Sequence, residues 1–113
     1  MKKLNHFLIE KFPELEKEYH AEVDWQKGDD TGSHVIYGDV FAPYIEKNID
    51  EREDEKLKKI FDFIEEILLQ KEKYSVEVIM FSVLERLIAD EKRFQICKRY
   101  MGKQTELIIK EMQ

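Results

Sequence analysis

The chain has 113 residues, a formal net charge of −6, and 39% charged against 42% apolar residues, which bounds it to one domain with enough apolar side chains for a core. Four glycines and two prolines are too few for the tight turns of a sandwich or barrel. The single cysteine, Cys97, excludes an internal disulfide and fits a reducing compartment.

The elements follow in chain order. Leu4, Phe7, Leu8, Ile9 and Phe12 lie at helical spacing. Glu10 and Lys11 cut the apolar run short, so it does not read as a signal peptide. Pro13 ends this helix or restarts it as a first-turn proline. Leu15, Tyr19 and Val23 continue at four-residue steps, opposite a wet side of Glu16, Lys17, Glu18 and Glu22. Asp24 to Ser33, with the only tryptophan, reads as a loop, and His34 to Tyr37 as extended chain. Asp39 is a candidate N-cap for a helix carrying Val40, Phe41, Tyr44, Ile45 and Ile49, with Pro43 tolerated in its first turn. After the polar break Asn48 to Glu55, opened by Asp50 or Glu53, Leu57, Ile60, Phe61, Ile64, Ile67 and Leu68 form one amphipathic stripe; Phe63 lies off it.

Tyr74 to Ala89 is apolar most of the way round a helix. Such a helix is a buried one, and its length argues against a strand. Ser75 is its candidate N-cap, and Ser82, Glu85 and Arg86 are polar exceptions that must reach water or partners. Asp90 can cap a helix with Phe94, Ile96, Cys97, Tyr100 and Met101 on its apolar side, ended by Gly102 as a C′ glycine. Thr105 caps a last segment with Leu107, Ile108, Ile109 and Met112. The expected architecture is all-α: a single-domain bundle spanning 1–113, of about five to six helices around a buried helix 75–89. Antiparallel helix pairs with short links could stack within it in the manner of a helical solenoid. No stretch approaches about 18 uncharged apolar residues, so no membrane span is expected and the chain reads as cytoplasmic.

Candidate chemistry is sparse. His6, His20 and His34 are scattered and form no metal-ligand spacing. The acidic glycine-containing loop lacks the calcium-loop pattern. Cys97 has Lys98 and Arg99 beside it but falls on an apolar stripe, the setting of a buried inert thiol. Phosphate-loop, dinucleotide and nucleophile-elbow motifs are absent. The expectation is a non-enzymatic protein with no cofactor and no metal.

Charge is segregated. Residues 10–55 carry fifteen Asp and Glu against five Lys and Arg, whereas the last 23 residues carry six basic and three acidic side chains. An acidic half repels nucleic acid and attracts basic proteins. A solvated, salt-bridged surface explains many such runs. Here the acids are concentrated, with Tyr37, Phe41 and Tyr44 among them, which suits a protein interface.

Several segments together carry a resemblance: Trp25 in its acidic loop, Tyr37-Gly38-Asp39-Val40-Phe41-Ala42-Pro43, Leu57 to Glu66 (LKKIFDFIEE), Ser82 to Leu87 (SVLERL) and Tyr100-Met101-Gly102. Over roughly residues 19–105 the chain resembles a family of small, all-helical bacterial proteins of unassigned biochemistry. Some relatives of that family resemble immunity proteins of polymorphic or contact-dependent growth-inhibition toxins. The family's members often carry a proline shortly after the YMG glycine, where Lys103 stands here. The resemblance implies no catalytic motif and a binding role, that of occupying a toxin. A nuclease toxin is basic because it binds phosphate, so the expected partner is a basic, RNase-type toxin domain. The expected contact residues are Asp29, Asp30, Asp39, Tyr44, Glu46, Asp50, Glu51 and Asp54. The rivals are a regulatory interaction module with another partner and a small enzyme joining residues such as His34, Asp39 and Glu85.

Overall fold

A computed structural model describes residues 3–26 and 32–113, apart from the side chains of Trp25 and Gln26. The fold is an all-α, single-domain bundle. Among the described residues there are seven helices and no strand: α1 (Lys3–Lys11), α2 (13–26), α3 (33–50), α4 (Asp54–Leu69), α5 (73–89), α6 (91–100) and α7 (Lys103–Met112). That is more than the five or six expected. Helices distant in sequence also pack together, α3 on α6 and α4 on α7. A solenoid, in which each repeat meets only its neighbours, is therefore not the architecture.

Pro13 opens α2 in a 3-10 turn, where its missing N–H costs nothing. The α2 stripe of Leu15, Tyr19 and Val23 is buried as its spacing predicts. The longest amphipathic stripe, in α4, is buried in full, and so is Phe63 beside it. The Phe63 ring meets Phe7 and Phe12 from the α1 end and Phe41 from α3, with centroids 5.4 to 5.7 Å apart. Phe63 thus serves a further packed face that a single stripe could not reveal. Tyr37 adds its ring to Phe41, and its buried hydroxyl donates to the Leu4 carbonyl at 2.7 Å.

Residues 33–50 overturn two expectations. His34 to Tyr37 is not extended, and Asp39 is not an N-cap. Gly32 starts the helix, which runs unbroken past both. Its π turn, Tyr37–Phe41, hid the continuity, because an inserted residue shifts the apolar period. The Ala42 N–H reaches back five residues to the Tyr37 carbonyl. Pro43 has no N–H, so the Gly38 carbonyl is left without an intrahelical donor. Arg86 of α5 supplies one, donating from Nη1 at 3.0 Å.

The α5 helix departs furthest from expectation. It too contains a π turn, Ile79–Leu84. Val78 and Ile79, then Val83 and Leu84, then Leu87 face the core. The widened turn between these pairs leaves Phe81 outward and Met80 half-exposed, while Ser82 faces α3 beside Gly38. Phe81 is 54% exposed and Tyr74 44%, so α5 is not buried all round; all seven helices contribute side chains to one core. Ser75 is not the cap either. Glu72 caps, accepting from the Ser75 backbone N–H at 3.2 Å and from its hydroxyl at 3.0 Å. Asp90 does cap α6, through the Arg93 N–H.

Gly102 is not a left-handed C′ glycine. Its φ is −84° and it leads into α7. The glycine is needed for close approach: a Cβ there would sit 2.4 Å from the Glu65 Cδ. Glu65 uses that space to accept from the Gln104 and Thr105 N–H groups and from the Thr105 hydroxyl, at 2.7 to 3.1 Å. The cap of α7 is therefore a carboxylate from α4, not Thr105.

Candidate protein-binding surface

The acidic residues of α3 meet the basic residues of the C-terminal half. Glu46 and Asp50 lie one helical turn apart, and Asp54 opens the next helix. Arg86 holds Glu46 with two hydrogen bonds, at 2.8 and 3.2 Å. Arg93 holds Asp50 in the same forked way, at 2.7 and 3.1 Å, and also reaches Glu46 and its own cap Asp90. Arg99 and the Tyr100 hydroxyl both go to Asp54. The sequence's charge segregation is in this part a device of the fold: each half neutralises the other.

The titration behaviour follows. The Arg93 guanidinium holds Asp50 below the usual carboxylate range, and Asp50 in turn raises Arg93. The Tyr100 hydroxyl, and secondarily Arg99, lower Asp54, while Asp54 raises Tyr100. On the opposite side of α3, Tyr44 donates to Glu14. Burial and that carboxylate raise Tyr44. For Glu14, burial works upward, but Tyr44 and the nearby Lys59 and Lys56 prevail and lower it.

The expected contact residues do not form one face. Tyr44 turns toward Glu14, whereas Glu46 and Asp50 turn toward Arg86 and Arg93. Asp54 is held by α6. Asp29 and Asp30 lie outside the described residues. Asp39 and Glu51 are exposed, and among the described residues they meet no side-chain partner. Glu53 and Glu55, flanking the same α3–α4 corner, share that condition.

Another surface was not foreseen. Met80, Phe81, Glu85, Ile88, Ala89 and Met112 line a shallow groove of about 390 Å³ between α5 and the end of α7. Phe81 is its one exposed large apolar side chain among the described residues. Glu85, one turn along, is exposed and unpaired among the described residues. The signal that could have revealed this face was the break in period between the Val78-Ile79 and Val83-Leu84 pairs.

The histidines stay apart. His6 pairs with Glu10 and His20 with Glu16, both one turn away on exposed helix faces. His34 brings Nδ1 to 2.9 Å from the Ser82 hydroxyl and its ring edge-on to Tyr74. A nucleophilic serine needs its base oriented by a third group, and among the described residues no acid meets this ring. His34, Asp39 and Glu85 are not drawn together by any contact. Cys97 is buried, and burial pushes its thiol up to about 12. Among the described residues no three His, Cys, Asp or Glu side chains converge as a metal site, and no helix is long and apolar enough to cross a membrane.

Residues 5–113 match a family described as a domain of unknown function, DUF7674. The chain belongs to that family. No curated protein and no solved structure matches it. The signature segments quoted above serve the fold: Gly38 exposes the carbonyl that Arg86 takes, Phe41 and Phe63 pack ring to ring, and Glu65 fits against Gly102. What this DUF7674 chain binds must be sought on the surfaces those residues leave open.

Proposed function

We propose that the chain is a cytoplasmic, non-catalytic binding protein that neutralises a basic bacterial toxin domain, of nuclease type, in the manner of an immunity protein. The supporting observation is the acid left over once the internal pairs are made. Asp39, Glu51, Glu53 and Glu55 remain exposed with no partner among the described residues, on a chain of net charge −6. Unneutralised carboxylates on a stable helical scaffold attract a phosphate-binding protein from a distance, raising its association rate by roughly 10 to 1000-fold. The same carboxylates repel nucleic acid.

Co-expression with the product of the neighbouring gene tests this. Growth should be restored and the two proteins should co-purify. A toxic neighbour that is neither bound nor silenced would sink the toxin reading and leave a regulatory module with another partner. Steering has its own test. Reversing Glu51, Glu53 and Glu55 to lysine should slow association at low salt and have little effect at high salt. Unchanged rates would place the steering charge elsewhere. Asp50 and Asp54 are unsuitable for this reversal, because they hold α6 in place.

A further inference from the structure

We infer that the groove around Phe81 is the anchor of the protein contact, and that it takes an apolar side chain flanked by basic residues on the partner. The inference rests on the reading that the partner is a basic protein, and it assigns that partner a seat. Three observations carry it.

First, Phe81 is 54% exposed although α5 contributes five nearly or fully buried apolar side chains to the core. An α-helical register would bring residues 82 and 83 round behind 78 and 79 and leave Leu84 off the core. The π turn inserts a residue, keeps Val83 and Leu84 in the core, and presents Met80 and Phe81 as a pair. π turns inside helices recur at functional sites. An exposed aromatic ring in an apolar groove is the usual form of a binding hot spot.

Second, the groove has a defined charge. Glu85 lies within it, exposed to water. It has no partner among the described residues. By contrast Arg86, the next residue, is turned away and spent on Glu46 and the Gly38 carbonyl. The surface is therefore apolar at its centre and acidic beside it.

Third, that charge selects the occupant. A two-fold contact of this face with a further copy of the chain would bring Glu85 toward its own equivalent, and like charges in a contact oppose it. A basic segment with an apolar side chain satisfies both features. The two surfaces then divide the work: the Glu51–Glu55 corner draws the partner in, and Phe81 holds it.

The test uses the full chain and two synthetic amphipathic helical peptides, alike in their Phe/Leu stripe, one flanked by lysines and one by glutamates. Fluorescence anisotropy should show the lysine peptide binding and the glutamate peptide not. Phe81→Ser should weaken binding about 30-fold, the size of a hot spot, and Phe81→Trp should restore it. Glu85→Lys should weaken it as well, whereas Leu69→Ser, an exposed apolar site elsewhere, should not. Thermal melts that match the parent confirm that the Phe81 variants fold.

Equal binding by all variants, no binding by the parent, or binding of the glutamate peptide would each overturn the inference. So would a dimer in sedimentation equilibrium that Phe81→Ser dissolves, which would make the occupant another copy of this chain. Toxin neutralisation that survives Phe81→Ser would keep the toxin reading and remove the anchor. Phe81-dependent peptide binding by a chain that neutralises no toxin would do the reverse.

Discussion

The acidic stretch from Glu46 to Asp54 and the outward side of α5 exchange the roles their sequences suggest. The acidic stretch has the composition of a binding face and is largely occupied: Arg86, Arg93 and Arg99 take its three best-placed carboxylates. The α5 segment has the composition of pure core and leaves an aromatic ring in water. Local composition fails for the same reason in both. A carboxylate's availability depends on which cations the fold brings to it, and an apolar residue's burial depends on helix register. Both are tertiary facts.

The comparison is sharpened most by setting Phe81 against the buried rings. Phe41 and Phe63 touch each other and Phe12 in one cluster. Replacing either with alanine should cost about 3–5 kcal/mol, through lost transfer energy and the cavity left behind. Phe81→Ala should stay within about 0.5 kcal/mol of the parent, as exposed substitutions do. Urea denaturation of the three variants measures the difference. A large loss at Phe81 would mean that the ring is covered in solution and that the groove is not open.

The contact between Glu65 and Gly102 gives the next largest effect and asks whether the signature segments serve stability. Glu65→Ala removes the carboxylate that caps α7 and should cost about 1–2 kcal/mol. Gly102→Ala should cost a similar amount, because its new Cβ displaces the same carboxylate. In a chain that already lacks the Glu65 side chain, Gly102→Ala should then cost much less. This non-additivity is the mark of two residues sharing one contact. Two fully additive losses would show that Gly102 is required for some other reason.

Much of the fold was legible. Four-residue spacing placed the α2 stripe, and three-and-four spacing placed α4, because one packed face imposes one period. Phe63 escaped because α4 is buried on another side as well, which no single stripe records. The helix start at Ser33 escaped because Gly38 and a π turn interrupt the pattern. The candidate site was less legible. Asp39 and Glu51 are exposed. The ladder at Glu46, Asp50 and Asp54 was hidden by its partners, 40 to 47 residues away in the chain. Acids at four-residue steps facing arginines at six- and seven-residue steps are nonetheless a readable pattern.

The smallest expected effect tests whether the ladder is structural, through pH. Asp50, Asp54 and Glu14 have folded-state pKa values below their ordinary ones. A carboxyl lowered by folding contributes stability that is fully present above its unfolded pKa, about 4, and is lost as pH falls through the lower folded value. Urea midpoints should therefore hold steady from neutral pH down to about 5 and decline below about 4. Tyr100 is raised by Asp54. Its contribution is present below its unfolded pKa, about 10, and fades as pH rises beyond it. Arg93→Met removes the partner of Asp50 and much of the attraction on Glu46. It should flatten the acid limb while leaving the alkaline one unchanged, because Tyr100 and Asp54 meet at the other end of the ladder. An acid limb as steep in Arg93→Met as in the parent would assign the acid response to Glu14 and Asp54, whose partners that change leaves in place. Asp50 would then be an exposed carboxylate available to a partner after all.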